Sequence, residues 1–346
     1  MGPSFRHKVT LSVVIPIYNE EQVLDVLHPA LCNVLEQTGE TWEVVYVNDG
    51  SSDSSLEKLL QYHLEDSRVV VVELSRNWGH QPALTAGLKA ARGRAVILMD
   101  GDLQDPPEVI LDFVAAWRDG AEVVIAERLS RLERGFRTWA YPLFYKVLGL
   151  LSDFPIPLNA GIFGLLSRQV VDCINSLDEN NRYLPGLRAW AGFRTAFVYY
   201  ERAERAAGRP KQTFLRLIKY AMDAVFSFSY KPLRLSLVLC MAIACFALLY
   251  CTFLVFSRLA GWQLVGPMIW GYTSTMVSVL FLGSIQLICL GLLGEYIGRI
   301  YDEVKRRPLF LVRQLHRSEP LAQAAAISGA VPIRGALGDP DETVAA

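Results

Sequence analysis

From Leu235 to Ser257 the chain runs for 23 residues without a charge, LSLVLCMAIACFALLYCTFLVFS. As a helix rising about 1.5 Å per residue it would span about 34 Å, enough to cross the hydrocarbon core of a bilayer. A second uncharged stretch extends from Leu259 to Gly294 and is densest over 268–294. Core helices of soluble proteins seldom reach such lengths without a charge, so two transmembrane helices at about 235–257 and 268–294 are expected; the alternative is a pair of buried core helices. Lys231 and Arg234 precede the first stretch, Arg299, Lys305, Arg306 and Arg307 follow the second, and only Arg258 lies between. The positive-inside rule then places both ends in the cytoplasm.

The first 210 residues have a different texture. Apolar runs at 11–16 (LSVVIP), 43–48 (EVVYVN), 69–74 (VVVVEL), 95–100 (AVILMD) and 122–126 read as buried parallel strands, with branched residues on both faces. Amphipathic stretches at 20–37, 53–66 and 81–91 sit between them. This is the βαβ rhythm of an open, doubly wound, mostly parallel sheet. No G-x-G-x-x-G follows the first strand, which removes the main support for a dinucleotide-binding domain.

Composition excludes other classes. A net charge of −1 gives no basic field for nucleic acid. The six cysteines show no paired spacing, and Cys240, Cys245, Cys251 and Cys289 lie in the apolar stretches, so a reducing setting is expected rather than a disulfide or zinc framework. The N-terminus carries no signal-peptide core, and Arg6 breaks the myristoylation pattern. Residues 213–230 place Arg216, Lys219, Asp223 and Ser227 on one helical face and apolar residues on the other. That suits a helix lying in the membrane interface, or an ordinary docking helix. The expected plan is a cytoplasmic domain at 1–210, an amphipathic juxtamembrane region at 211–233, two spans within 234–300 and a cytoplasmic segment at 301–346. The last part is rich in Ala, Gly and Pro and is expected to be disordered from about 318.

In open α/β sheets ligands bind beyond the carboxyl ends of the strands. Here those ends read PIYNEE (16–21), NDGSSD (48–53), SRNWGH (75–80) and DGDLQD (100–105). Asp49 is placed to accept hydrogen bonds from a ribose or a base, although an Asx turn would also explain an Asp before Gly50. Asp100 and Asp102, separated by Gly101, can both point toward one hard cation. Oxygen ligands of this type suit Mg²⁺ or Mn²⁺, completed by substrate phosphates and water. Three carboxylates in six positions, with Asp105 the third, call for positive charge nearby.

At these residues the chain resembles a known family. VVIPIYNEE, YVNDGSSDSS, LSRNWGHQPALTAGLKAARG and VILMDGDLQDPPE are similar to the motifs of family 2 glycosyltransferases, whose domain is a Rossmann-like α/β sheet of the GT-A type. The C-terminal FLGSIQLICLGLLGEYIGRIYDEVKRRP narrows the resemblance to the polyprenyl-phosphate glycosyltransferases, over about residues 10–312. The resemblance implies inverting transfer of one sugar from a nucleotide-sugar, with UDP favoured over GDP, to a polyprenyl phosphate such as undecaprenyl phosphate. The enzyme would be an integral protein of the bacterial inner membrane, with its catalytic domain in the cytoplasm and a homotetramer as its assembly.

Carried over residue by residue, the family pattern puts Pro16, Tyr18, Glu20, Asp49, Arg76, Asp100 and Gly101 around the nucleotide-sugar. It gives Asp100, Asp102 and Gln104 to the metal and diphosphate. Arg128, Arg131 and Lys211 become candidates for the acceptor phosphate, and Arg202 and Arg205 for catalysis beside Asp102; each arginine could instead be a solvated surface charge. One segment departs from the pattern. Where many relatives carry a DAGDFR-like stretch, this chain has NAGIFG (159–164), which leaves Asn159 where an acid often orients the acceptor or acts as base. Two further readings stay open: an inactive membrane scaffold that binds nucleotide-sugar or lipid, and a processive polysaccharide synthase. The second is disfavoured by the lack of a Q-x-x-R-W segment.

Overall fold

The computed structural model describes residues 9–128, 160–177, 179, 182–200, 231–259 and 269–318. Its first half alternates strand and helix: β1 (Leu11–Ile17), α1 (Glu21–Gln37), β2 (Trp42–Asn48), α2 (Ser55–Glu65), β3 (Val69–Leu74), α3 (His80–Ala90), β4 (Ala95–Leu98), α4 (Val109–Arg118) and β5 (Val123–Arg128). There follow β6 (Ala160–Ser167), α5 (Arg168–Ser176), α6 (Leu184–Ala191) and β7 (Thr195–Tyr200). The last described elements are α7 (Lys231–Leu259), α8 (Ile269–Lys305) and β8 (Val312–His316).

The eight strands among the described residues form one sheet in the order β7-β5-β6-β4-β1-β2-β3-β8. The pairs β1–β2, β1–β4, β2–β3 and β5–β7 are parallel, whereas β6 runs antiparallel to both β4 and β5. The βαβ reading therefore holds for the first four strands. It misses that β6 inserts between β4 and β5, because a strand 60 residues downstream in the chain leaves no local signal at β4.

The continuous apolar runs are explained by burial on both faces. Val13, Ile15, Val44, Tyr46, Val71 and Ile97 join Leu24, Leu27 and Leu31 of α1, Leu59 of α2 and Phe113 of α4 in one cluster. Val14, Val45, Val47, Val72 and Val96 join Leu84 and Leu88 of α3, Val170 and Ile174 of α5 and Leu187 of α6 in the other. Each such side chain, fully buried, contributes about 1.5–3 kcal/mol relative to exposure. Helices on both faces leave the strand ends as the place where polar loops can gather.

Helix α8 contains a stretch, Thr275–Lys305, long and apolar enough to cross a membrane, while α7 contains a shorter apolar stretch, Ser236–Tyr250. The two helices meet at Cys240 and Cys289, whose sulfurs lie 3.5 Å apart. Their large apolar side chains, among them Leu237, Phe246, Leu248, Leu287 and Ile288, are exposed. After the second apolar run α8 continues to Lys305, and β8 then pairs antiparallel with the outer edge of β3, ahead of the region from about 318 where disorder is expected. The proposed interfacial helix at 213–230 and the tail beyond 318 lie outside the described residues.

Candidate active site

Four strand ends build one polar rim. Beyond β1, Asn19 turns the chain in the left-handed region (φ 56°). Its backbone N–H donates to Ser51 Oγ at 3.1 Å, and its side-chain oxygen accepts from Ser52 N at 2.8 Å. One residue on, Glu20 N donates to Ser55 Oγ at 3.0 Å. Asp53 accepts from the amides of Glu21 (3.3 Å) and Ser55 (3.1 Å). Burial opposes charge on Asp53, but the Ser55 hydroxyl and amide and the Glu21 amide prevail and hold its carboxyl below the ordinary range. The loops after β1 and β2 thus form one latched unit that presents Tyr18, which is exposed.

Asp49 does not close the turn after β2; Asn48 does, its side-chain oxygen accepting from Ser51 N at 3.2 Å. The buried Asp49 reaches across to the loop after β3, where its two oxygens accept from Trp78 N at 2.7 Å and Gly79 N at 3.0 Å. Burial raises its pKa even against those two amides and the nearby His80 and Arg76 charges. The loop itself is compact. The Arg76 guanidinium lies 3.8 Å over the Trp78 ring, and the indole N–H donates to Ser75 Oγ at 3.1 Å.

The acidic turn after β4 sits against this loop. His80, the first residue of α3, places Nε2 2.8 Å from Asp100 Oδ1, so Nε2 carries the proton toward the carboxylate. Burial disfavours charge on this ring, but the bond to Asp100 and the fields of Asp100, Asp49 and Asp102 outweigh it and raise its pKa above 6.5. Asp102 accepts from Gln104 N at 3.2 Å. A side chain at Gly101 would need its neighbours to give way, since a Cβ there would stand 2.7 Å from Ile17 Cδ1 and 3.3 Å from Pro16 O. The turn is pressed against the end of β1, with Asp100 and Asp102 on either side. Asp105 has a different part: it is buried and accepts from Tyr200 Oη at 2.6 Å, tying the turn to β7. The expectation of a cation for all three acids therefore applies at most to two of them.

Pro16, Tyr18, Glu20, Asp49, Arg76, Asp100, Gly101, Asp102 and Gln104 all fall on this rim. Arg128 ends β5. Asn159, Arg131, Arg202, Arg205 and Lys211 lie outside the described residues. Two side chains were not singled out from the sequence. His80 is one, and its only signal was its place at the end of a strand-end motif. Arg188 of α6 is the other. It is buried, donates from Nη2 to Gly161 O at 3.2 Å, and is held down to a pKa of about 10 by burial. It also accounts in part for the NAGIFG departure. A Cβ at Gly164 would lie 2.3 Å from Val124 O and 3.3 Å from Arg188 Nη1, so no larger side chain fits there without moving β5.

The two carboxylates at the end of β4 fit a hard divalent ion. Among the described residues no group of three His, Cys, Asp or Glu side chains comes together that could hold a metal by itself. Two carboxylates completed by phosphate and water is how Mg²⁺ is commonly bound, and the His80 contact would orient one of them.

An open α/β sheet with a D-x-D turn at the end of its fourth strand and a latched loop beside it is the architecture of the GT-A sugar transferases. Residues 12–174 match Glycosyl transferase family 2, and residues 231–300 match the GtrB C-terminal hairpin. The chain is 43% identical over 308 residues to the glycosyltransferase sll0501 of Synechocystis sp., covering 89% of this chain and 96% of that one. It is 39% identical over 315 residues to the SfII prophage-derived bactoprenol glucosyl transferase of Shigella flexneri, covering 90% and 99%. Among solved structures, glucosyl-3-phosphoglycerate synthase from Mycobacterium tuberculosis with Mn²⁺, UDP-glucose and phosphoglyceric acid overlaps 63% of this chain and 78% of its own, at 22% identity and a TM-score of 0.41. The chain belongs to the family 2 glycosyltransferases, in the branch that carries the GtrB hairpin and includes the polyprenyl-phosphate glycosyltransferases.

Proposed function

We propose that this glycosyltransferase moves one sugar from a UDP-sugar to a polyprenyl phosphate at the cytoplasmic face of a membrane, with inversion at the anomeric carbon. The observation that carries the reading is the convergence of Asp49, the Ser75–Gly79 loop and the Asp100–Asp102 turn on one rim, in a chain that ends in an apolar helical hairpin. Tyr18 is an exposed aromatic surface for a base, Arg76 and the loop that Asp49 anchors border the nucleoside, and Asp100 and Asp102, with Gln104, would hold the metal and diphosphate. A divalent ion there would neutralise charge on the departing nucleoside diphosphate.

The acceptor chemistry removes the need for a base. A sugar hydroxyl must lose a proton as it attacks, whereas a phosphate monoester has its second pKa near about 6 and is largely dianionic at pH 7. The site must supply position and cations. Arg128, Arg131, Arg202, Arg205 and Lys211 are the candidates, and Asn159 orients acceptor or sugar by hydrogen bonding. Helices α7 and α8 both span the membrane, with the two termini in the cytoplasm, and the chains assemble as a homotetramer.

The test is transfer in membranes that contain the protein, given undecaprenyl phosphate and a panel of labelled nucleotide-sugars. Label passes into the organic phase with one UDP-sugar. Asp102→Asn or EDTA lowers transfer on the order of a thousandfold, the expected effect of losing several kcal/mol of electrostatic stabilisation. Binding of nucleotide-sugar without transfer from any donor would leave the chain a scaffold, and full activity in EDTA would remove the metal.

A further inference from the structure

Helix α8 ends at Lys305, where Arg306 adopts φ 48°, and four residues later the chain is fixed again. Phe310 is buried in the cluster beneath α3, with Lys89 Nζ 5.7 Å from its ring centre. Beyond it β8 lies along β3, and the nearly buried pair Arg317–Glu43 closes the far end at 3.4 Å. Covering the open edge of a sheet needs only the ladder, which here ends at Leu74 paired with Val312.

The contacts go further than that. Ser75, the first residue of the loop after β3, donates its backbone N–H to Leu311 O at 2.9 Å. The Ser75 carbonyl accepts from Arg313 Nη2 at 3.1 Å, while Arg313 Nη1 binds Glu73 Oε1 at 3.0 Å. The C-terminal segment thus engages both backbone groups of Ser75. The Ser75 hydroxyl accepts the Trp78 indole N–H, and the amides of Trp78 and Gly79 are those that Asp49 binds. A continuous set of hydrogen bonds runs from the end of the apolar hairpin, through Arg313 and Ser75, to Asp49.

We propose that Phe310–Arg317 is a working part of the donor site, with Arg313 as a positioning residue that sets the Ser75–Gly79 loop through Ser75. The loop that borders the nucleotide is ordered by the same stretch of chain that leaves the hairpin. The proposal rests on the reading that this loop binds the donor. Arg313 itself is mostly exposed and touches no reacting group, so its loss leaves the fold and the chemistry in place and affects the loop.

The experiment compares full-length wild type, Arg313→Ala and Arg313→Lys by steady-state transfer, melting temperature and amide hydrogen exchange. In Arg313→Ala the donor KM rises about five- to tenfold, the loss of a charge-assisted bond, with kcat within about twofold; the melting temperature falls because the buried Glu73 loses its arginine partner, and Arg313→Lys, which keeps that pair, restores it. Exchange over residues 75–80 accelerates by a similar factor. Arg313→Lys keeps the pair with Glu73, lacks the second donor of the guanidinium fork, and recovers part of both effects. Unchanged donor KM and unchanged exchange in Arg313→Ala would overturn the proposal. So would a KM that lysine restores in full together with the melting temperature, because the strand would then be an anchor alone. If the wild type transfers no sugar to any acceptor, the functional reading falls, while exchange over 75–80 still decides whether Arg313 sets the loop.

Discussion

Gly50 offers the sharpest perturbation of the site. It sits at φ +68°, and a Cβ added there would stand 2.5 Å from Asn77 N and 2.6 Å from the Arg76 carbonyl carbon. Both obstacles are backbone, so no side chain can swing aside. The optimal separation is about 3.5 Å, so the Ser75–Gly79 loop must retreat by about 1 Å in Gly50→Ala. The bonds from Trp78 N and Gly79 N to Asp49, now 2.7 and 3.0 Å, would then pass out of hydrogen-bonding range. Left-handed backbone costs a non-glycine residue about 1–2 kcal/mol. Weakening two bonds to a buried carboxylate adds about 1.5–3 kcal/mol. The sum, about 2.5–5 kcal/mol, lowers the melting temperature by roughly 5–20 °C for a domain of this size.

Donor affinity should fall by about 10- to 100-fold, because a displacement near 1 Å is enough to spoil a pre-organised site. Gly39→Ala is the control. It has a similar φ of +69° with nothing within 4 Å of the added Cβ, so it carries the backbone strain and none of the clash. The assay is calorimetric melting alongside UDP titration of all three proteins. If Gly50→Ala melts and binds like Gly39→Ala, the close approach of the loop has no energetic weight and the reasoning fails.

Two further outcomes follow from contacts away from the rim. Cys240 and Cys289, with sulfurs 3.5 Å apart, should close a disulfide within one chain under mild oxidation; cleavage between α7 and α8 would then release no fragment until reduction, and only interchain products would refute the helix pairing. His316 of β8 has its pKa held below 6.5 by burial and by the neighbouring His63, with Glu73 pulling the other way. The docked strand therefore favours the neutral ring. Its docking is at full strength above about pH 6.5 and is lost as pH falls through the lowered value, so amide exchange over 312–316, corrected for intrinsic rate, should accelerate in acid in wild type and not in His316→Phe.

Much of this was legible from residue order. Strands β1 to β4 announce themselves because burial on both faces demands unbroken runs such as VVIPI and VVVV, and their carboxyl ends carry the polar residues because helices cover both faces. The D-x-D turn was legible for the same reason, with Gly101 lying close against Ile17. The uncharged stretch at 235–257 falls within α7, and that at 268–294 falls within α8 from Ile269 onward, since length without charge is a local property.

What escaped depends on distance in the chain. Asp105 looks like a third metal-side acid until Tyr200, 95 residues on, takes it into the core. The Asx-turn reading of Asp49 fails because Asn48 serves the turn, and Asp49 is spent on amides 29 and 30 residues away. The segment LVRQLHR after the hairpin has a weak period-2 pattern that gains meaning only against Glu73 and Glu43, 240 and 274 residues earlier. A carboxylate inside a buried strand such as VVVVEL asks for a cation. Which arginine answers it could not be read from spacing, because the pairing is set by where the chain returns after the apolar hairpin. The return to β3 joins the hairpin to the polar rim, and it does so through the backbone of Ser75, which no side-chain pattern can encode.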